Sequence, residues 1–208
     1  MPLKKLTKAE IIAALSRLAE LAQGEGVRLE MTLYGGAVMM LAYDAREVTK
    51  DVDAIVHPPE VARRLVKRVA AERGLHDEWL NDDVKQFVST VEAKNELPLE
   101  GVSAAGLRIT KPTAKYLLAM KVMAARLPLP GYPGDFGDIK VLLRITRVQS
   151  VEKIEGVVNL YFPDTVLPDH TRVVLAKILK QLSNEPTATS PIEPTTKRPR
   201  GGTSIDID

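Results

Sequence analysis

Two periods of apolar and polar residues follow one another at the start of the chain. From Ile11 to Ala22 apolar residues recur three or four positions apart, behind a capping box at Thr7-Lys8-Ala9-Glu10, which predicts an amphipathic helix. From Val27 to Tyr34 they alternate with polar residues, which predicts a half-buried strand that Gly35-Gly36 interrupts. The pattern then predicts a short apolar helix at 37–43 and a second strand at 51–56.

The remaining pattern predicts an α+β protein, in which helices flank a small mixed sheet and the C-terminal part is helical. Further helices are predicted from 57–60 onward, at 111–125, at 135–147, after a cap at Ser150 and at 168–182, with strands at 86–93 and 106–110 and a loop around 79–82. We divide the chain into a core (1–110), a helical part packed on it (111–183) and a tail (184–208). The tail is rich in Pro, Thr and Ser and poor in apolar residues, so we expect it to be disordered.

Composition narrows the chemistry that the chain can carry. With 208 residues, 45% of them hydrophobic, it suits one well-packed domain. It has no cysteine and three scattered histidines, which argues against a disulfide framework and against a thiolate or histidine zinc site. A metal would therefore be held by oxygen ligands, as Mg²⁺ or Mn²⁺ is.

Nothing in the apolar pattern indicates a membrane protein. The first residues lead into a charged amphipathic stretch, and no run of about 18 apolar residues occurs, so we expect a soluble, cytoplasmic protein without a membrane partner. The net charge of +2 is too small to indicate nucleic-acid binding by itself.

The most informative segment joins the glycine pair Gly35-Gly36 to the carboxylates Asp51 and Asp53. Residues two apart on a strand point to one face, so these carboxylates repel each other and favour a shared cation. Glycines without side chains let a triphosphate approach the backbone, and the N-terminus of the following helix favours the same anion. The segment therefore predicts a site for a metal and a nucleoside triphosphate.

This order of motifs resembles the nucleotidyltransferase superfamily that includes DNA polymerase beta. It is most similar to the abortive-infection type toxin nucleotidyltransferases and their small prokaryotic relatives, which share a Lys-x-x-Ala-x-Arg segment, here 121–126, and an Asp-x-x-Asp helix start, here 135–138. The resemblance implies Mg²⁺-dependent nucleotidyl transfer to an RNA or protein acceptor, and an antitoxin protein as a partner. It implies the following roles: Asp51 and Asp53 as metal ligands, Lys121 as a catalytic residue in contact with the nucleotide, and Gly35, Gly36, Thr49, Lys50 and Asp138 around the nucleotide.

Three interpretations remain open: an active nucleotidyltransferase, an inactive module with the same fold, and a structural protein. Many active relatives have a third carboxylate on a later strand, for which Glu92 is the candidate here; without it the chain would be an inactive nucleotide-binding or regulatory module. The Asp-x-Asp sequence could also be accidental in a structural protein. Separately, the helix predicted from residue 57 onward has a basic face of Arg63, Arg64, Lys67 and Arg68, which is either a solvated surface or a guide for RNA.

Overall fold

The computed structural model describes residues 5–125 and 135–185 and confirms the predicted α+β class. The strands within these residues are β1 (Leu6–Thr7), β2 (Leu29–Leu33), β3 (Val48–Thr49), β4 (Val52–His57), β5 (Leu80–Asn81), β6 (Lys94–Glu96) and β7 (Leu107–Pro112). The helices are α1 (Lys8–Gly24), α2 (Gly35–Tyr43), α3 (Pro59–Arg73), α4 (Ala114–Met123), α5 (Phe136–Thr146), α6 (Val151–Tyr161) and α7 (Asp169–Asn184). A 3-10 helix (Asp83–Phe87) follows β5.

The central sheet is mixed, with the strand order β5-β4-β2-β7-β6. Its middle strand, β2, is antiparallel to β4 and parallel to β7. On the β4 side, β5 adds a short parallel edge in which Asn81 is the register partner of Asp53. A separate two-stranded sheet joins β1 to β3 and pairs Leu6 with Thr49. Both sheets thus meet around the segment that carries the aspartates.

Helices cover the sheet and supply most of the core. Helices α1 and α3 pack against each other, with α1 also on β7 and α3 also on β4. Helix α4 packs on β7 and also against α5 and α6, and α7 contacts both α5 and α6. Gly106, directly before β7, lets the chain lie against α1, because a methyl group there would overlap the carbonyl oxygen of Ala19 in α1.

Local sequence signals located the starts of helices α1 and α6. The capping box at the start of α1 is present, with the Thr7 hydroxyl accepting from the Glu10 amide and the Glu10 carboxylate accepting from the Thr7 amide. The Ser150 hydroxyl caps α6, as predicted, by accepting from the Lys153 amide. Both interactions join residues three positions apart, which is why the sequence alone could predict them.

Three predicted elements are wrong. Residues 86–93 do not form a strand, because the backbone amide of Ser89 donates to the Tyr116 hydroxyl at 2.8 Å and its side chain donates to the Tyr161 carbonyl. The predicted loop at 79–82 contains strand β5. Lys111 and Pro112 end β7 instead of opening a helix, since Pro112 is the register partner of Lys94 on β6.

Much of the predicted tail lies outside the described residues. Of 184–208, only Asn184 and Glu185 are described: Asn184 ends α7, and the Glu185 carboxylate accepts from Lys140 at 2.6 Å and also pairs with Arg144. The division at residue 110 falls within β7 and stays a prediction. None of the helices in the two described ranges is both long and apolar enough to cross a membrane.

Candidate functional site

The candidate site begins where β4 begins. Asp51 directly precedes this strand and Asp53 lies within it. The amide of Tyr34, the residue between β2 and α2, donates to the Asp53 carbonyl at 2.8 Å. This bond brings the start of α2 against the Asp53 side chain. Gly35 has a φ of +59°, and a methyl group there would overlap Asp53 Oδ2. Only glycine fits both the left-handed backbone and this contact.

The second glycine is packed from the other side. A methyl group on Gly36 would lie 2.7 Å from Thr49 Oγ1 and 3.4 Å from Arg46 Nη1. The Thr49 hydroxyl also donates to the Asp51 carbonyl at 3.2 Å. Thr49 therefore links the first turn of α2 to the backbone of the first aspartate.

Burial is the main cause of a raised pKa at Asp53, because the charged carboxylate loses hydration there. The charge of Asp51 raises the pKa of Asp53 further, while the charge of Lys121 opposes this effect. Asp83, on the 3-10 helix after β5, adds a smaller increase. The charge of Asp51 thus disfavours the charged form of Asp53, and a cation would relieve this repulsion.

The candidate third carboxylate, Glu92, lies elsewhere than predicted. Since 86–93 is not a strand, Glu92 stands in a loop, where it accepts from the Tyr34 hydroxyl at 3.1 Å and pairs with Lys94 at 2.6 Å. The carboxylate of Asp83, by contrast, is one of the charges that raise the pKa of Asp53. Among residues 5–125 and 135–185, no group of three or more His, Cys, Asp or Glu side chains could hold a metal ion.

Lys121 and Asp138 contact each other. The Lys121 Nζ atom lies 2.8 Å from Asp138 Oδ2, and the two side chains are 12% and 5% exposed. The Arg46 guanidinium binds the same carboxylate through Nε at 2.8 Å and Nη2 at 2.6 Å. Asp138, on the first turn of α5, is therefore a buried carboxylate paired with two cations.

Two residues of this region were missed by the sequence analysis. Arg46 lies between the glycine pair and the two aspartates in the sequence. Nothing in the neighbouring residues predicted that the chain after α2 would bring Arg46 beside Gly36. Asp83 directly follows the loop predicted around 79–82, and it begins the 3-10 helix of the structure. Lys50, in contrast, is exposed, and its carbonyl lies 3.4 Å from His76 Nε2. Arg126, the last residue of the Lys-x-x-Ala-x-Arg segment, lies outside the described residues.

Comparisons with known proteins add a distant structural likeness. No family model matches the chain, and no curated protein matches it significantly. The crystal structure of an antigenic nucleotidyltransferase-like protein from Paracoccidioides brasiliensis is similar, with a TM-score of 0.46 and 14% identity over 85% of this chain and 95% of that chain. This likeness is too distant to decide the family or the activity of the present protein.

Proposed function

We propose that this protein is a metal-dependent nucleotidyltransferase that moves a nucleotidyl group from a nucleoside triphosphate to an RNA or protein acceptor. The observation that carries the proposal is the contact between Asp53 and Gly35. It sets a half-buried carboxylate, with Asp51 two residues away, against the first turn of a helix that begins with two glycines. Carboxylates, glycine backbone and a helix N-terminus together suit a metal-bound triphosphate.

The donors present fit Mg²⁺ or Mn²⁺. Magnesium is commonly held by one or two carboxylates together with substrate phosphates, and it does not require a cage made only of protein ligands. Asp51 and Asp53 would hold it, and the rise that the charge of Asp51 causes in the pKa of Asp53 is the electrostatic reason for a cation there. When bound, such an ion activates a nucleophile and stabilises the leaving pyrophosphate.

The other residues have roles that their positions support. Gly35 and Gly36 would bring backbone amides close to the phosphates, and Thr49 holds this turn against Asp51. Lys121 has a charge that already acts on Asp53, so it would offset the negative charge of a triphosphate beside the carboxylates. We expect Lys50, which is exposed next to Asp51, to contribute only at the edge of the site.

The test is incorporation of label from each α-labelled nucleoside triphosphate, with Mg²⁺ or Mn²⁺, into total RNA and into protein. We expect transfer by the wild type, and a loss of at least about a hundredfold in Asp53→Asn, which keeps the shape of the side chain but removes the charge. Asp169→Asn, an exposed aspartate on α7, is the matched control and should retain activity. Full activity of Asp53→Asn would contradict the assignment.

An inactive nucleotide-binding module is the second candidate, and one observation favours it. On β5, the register partner of Asp53 is Asn81, which has no charge. Among the described residues, Asp51 and Asp53 are not part of a group of three or more His, Cys, Asp or Glu side chains that could hold a metal ion. Nucleotide binding without transfer, across all triphosphates and both acceptor classes, would support this alternative.

A toxin role, with an antitoxin protein as partner, is a finer proposal that rests on the resemblance. It predicts that expression of the wild type arrests bacterial growth and that Asp53→Asn does not. Growth arrest by both proteins would contradict a toxin that acts through nucleotidyl transfer.

A further inference from the structure

One segment of the chain spans the end of the central sheet that carries the candidate site. Residues 82–93, the crossing segment, connect β5 to β6, which are the two edge strands of this sheet. The segment starts after Asn81, the register partner of Asp53 near the start of β4, and finishes before Lys94, the register partner of Pro112 at the end of β7. Because β2 is antiparallel to β4 and parallel to β7, both places lie at the end of the sheet where β2 stops and α2 begins.

Both ends of the crossing segment border the candidate site. Near its start, the 3-10 helix contacts β4, and the charge of Asp83 raises the pKa of Asp53. Near its end, Glu92 accepts a hydrogen bond at 3.1 Å from the hydroxyl of Tyr34, the residue that precedes Gly35. The segment thus extends along the site from the aspartates to the glycine pair.

The middle of the crossing segment is held in place by Ser89. Its amide donates to the Tyr116 hydroxyl at 2.8 Å, and its hydroxyl donates to the Tyr161 carbonyl and accepts from the Val91 amide. Ser89 is buried, so water does not compete for these hydrogen bonds. The backbone next to Ser89 is therefore fixed, and a side chain that it presents to a ligand has less freedom to lose on binding.

The aromatic side chain that this fixed backbone presents is Phe87, two residues before Ser89. It is 60% exposed, whereas the other aromatic side chains within 5–125 and 135–185 are buried or half-buried. Residues three apart in a 3-10 helix lie on the same side, so Phe87 lies on the side of Val84, which packs against the core. Phe87 is therefore on the inner side of this helix and is still uncovered.

We infer that Phe87 stacks against a nucleobase, either that of the incoming nucleoside triphosphate or that of the last nucleotide of an RNA acceptor. This inference rests on the proposed function. Phe87 is four positions after Asp83, which corresponds to about 8 Å along a 3-10 helix, a length comparable to that of one nucleotide. A nucleotide whose phosphates bind beside Asp53 and Gly35 would therefore have its base within reach of Phe87. Stacking on the ring tolerates any base, because every base has a π face.

The experiment measures the affinities for inorganic tripolyphosphate, for each nucleoside triphosphate and for a single-stranded RNA oligonucleotide, by calorimetry with Mg²⁺. We expect Phe87→Ala to lose at least about fivefold in affinity for the ligand whose base stacks. It should bind tripolyphosphate, which has no base, as the wild type does. Leu160→Ala is the matched control, because Leu160 on α6 is 56% exposed, and it should change none of these affinities.

The ligands distinguish the two sources of the base. A loss for the triphosphates assigns the base of the substrate, and a loss for the oligonucleotide assigns the base of the acceptor. No loss for either ligand, or an equal loss for tripolyphosphate, would overturn the inference. Absence of binding of every ligand to the wild type would overturn it as well.

A second measurement does not depend on a loss of affinity. Trp79 is the only tryptophan of the chain and is buried, so the indole introduced by Phe87→Trp should be the exposed fluorophore. We expect the stacking nucleotide to quench its fluorescence and tripolyphosphate to leave it unchanged, and an unquenched indole would contradict stacking. The transfer assay decides separately on the function. Stacking without transfer would reject the proposed activity alone, and transfer with unaltered affinities in Phe87→Ala would reject this inference alone.

Discussion

Charged side chains gather in two regions of this molecule, with opposite results. On the surface where α1 meets α3, arginines and glutamates pair with one another: Arg64 with Glu25, and both Arg17 and Arg68 with Glu72. At the start of β4, Asp51 and Asp53 are two positions apart, both are half-buried, and the charge of Asp51 raises the pKa of Asp53. The first region balances its charges within the protein, whereas the second does not.

The directions of the pKa shifts in the two regions are opposite. Hydrogen bonds from Arg17 and then Arg68 lower the pKa of Glu72 to about 2. Burial, and then the charge of Asp51, raise the pKa of Asp53. A carboxylate that is already paired with arginines has little need of a further cation. A carboxylate that is partly removed from water beside a second carboxylate favours an added cation. Pairing and burial therefore distinguish a candidate site from a solvated surface, and the number of charges does not.

The largest expected effect tests the contact that buries Asp53. Gly35→Ala would displace the Asp53 carboxylate, so we expect transfer activity to fall by about a hundredfold. Gly74→Ala is the matched control, since Gly74 has a φ of +64° but open space around it. Both variants should lose about 1–2 kcal/mol from backbone strain, and only Gly35→Ala should lose activity. Equal activities of Gly35→Ala and Gly74→Ala would show that Gly35 is not part of the active site.

A smaller effect concerns the pH dependence of stability at Asp53. A carboxylate whose pKa is raised in the folded state contributes stability below its ordinary pKa of 3.8, and loses it as the pH rises through the raised value. Without metal at neutral pH, Asp53→Asn should therefore raise the melting temperature by about 2–4 °C. Calorimetric melts at decreasing pH should show this gain shrinking toward pH 3.8. A lower melting temperature at neutral pH would contradict the unbalanced-charge interpretation.

Glu72 should behave in the opposite way and more weakly. Its lowered pKa means that its stabilisation is present above its ordinary value of 4.5 and is lost as the pH falls through about 2. Because the pairs are exposed and screened, Glu72→Gln should lower the melting temperature at neutral pH by no more than about 2 °C. The difference from the wild type should vanish on acidification, and a difference that grows in acid would exclude this assignment.

The smallest effect is expected for RNA binding by the basic face of α3. The arginines of this face donate to glutamates: Arg63 to Glu60, Arg64 to Glu25 and Arg68 to Glu72. We therefore expect Arg64→Ala to leave the affinity for total RNA unchanged within about twofold, as measured by filter binding at two salt concentrations. A loss that is larger at low salt would restore this face as an RNA guide.

Local signals made much of the fold predictable. The predicted strand at 51–56 corresponds to β4 (Val52–His57), and the predicted last helix at 168–182 corresponds to α7 (Asp169–Asn184). Strand β5 could not be found this way, because two residues are too few to show a period and their pairing depends on Val52 and Asp53. The predicted strand at 86–93 was wrong because Ser89 is bound by tyrosines far along the chain.

The sequence by itself determined the glycine pair, the two aspartates two positions apart and the helices that begin and end with caps, because each depends on residues within a few positions of one another. Only the tertiary structure decided that Asp53 packs against Gly35, that Arg46 and Lys121 meet at Asp138, and that Glu92 pairs with Lys94. Contacts such as that between Arg46 and Asp138 cross 92 positions of the chain. Their partners are chosen by how α2, α4 and α5 pack, which no local pattern encodes.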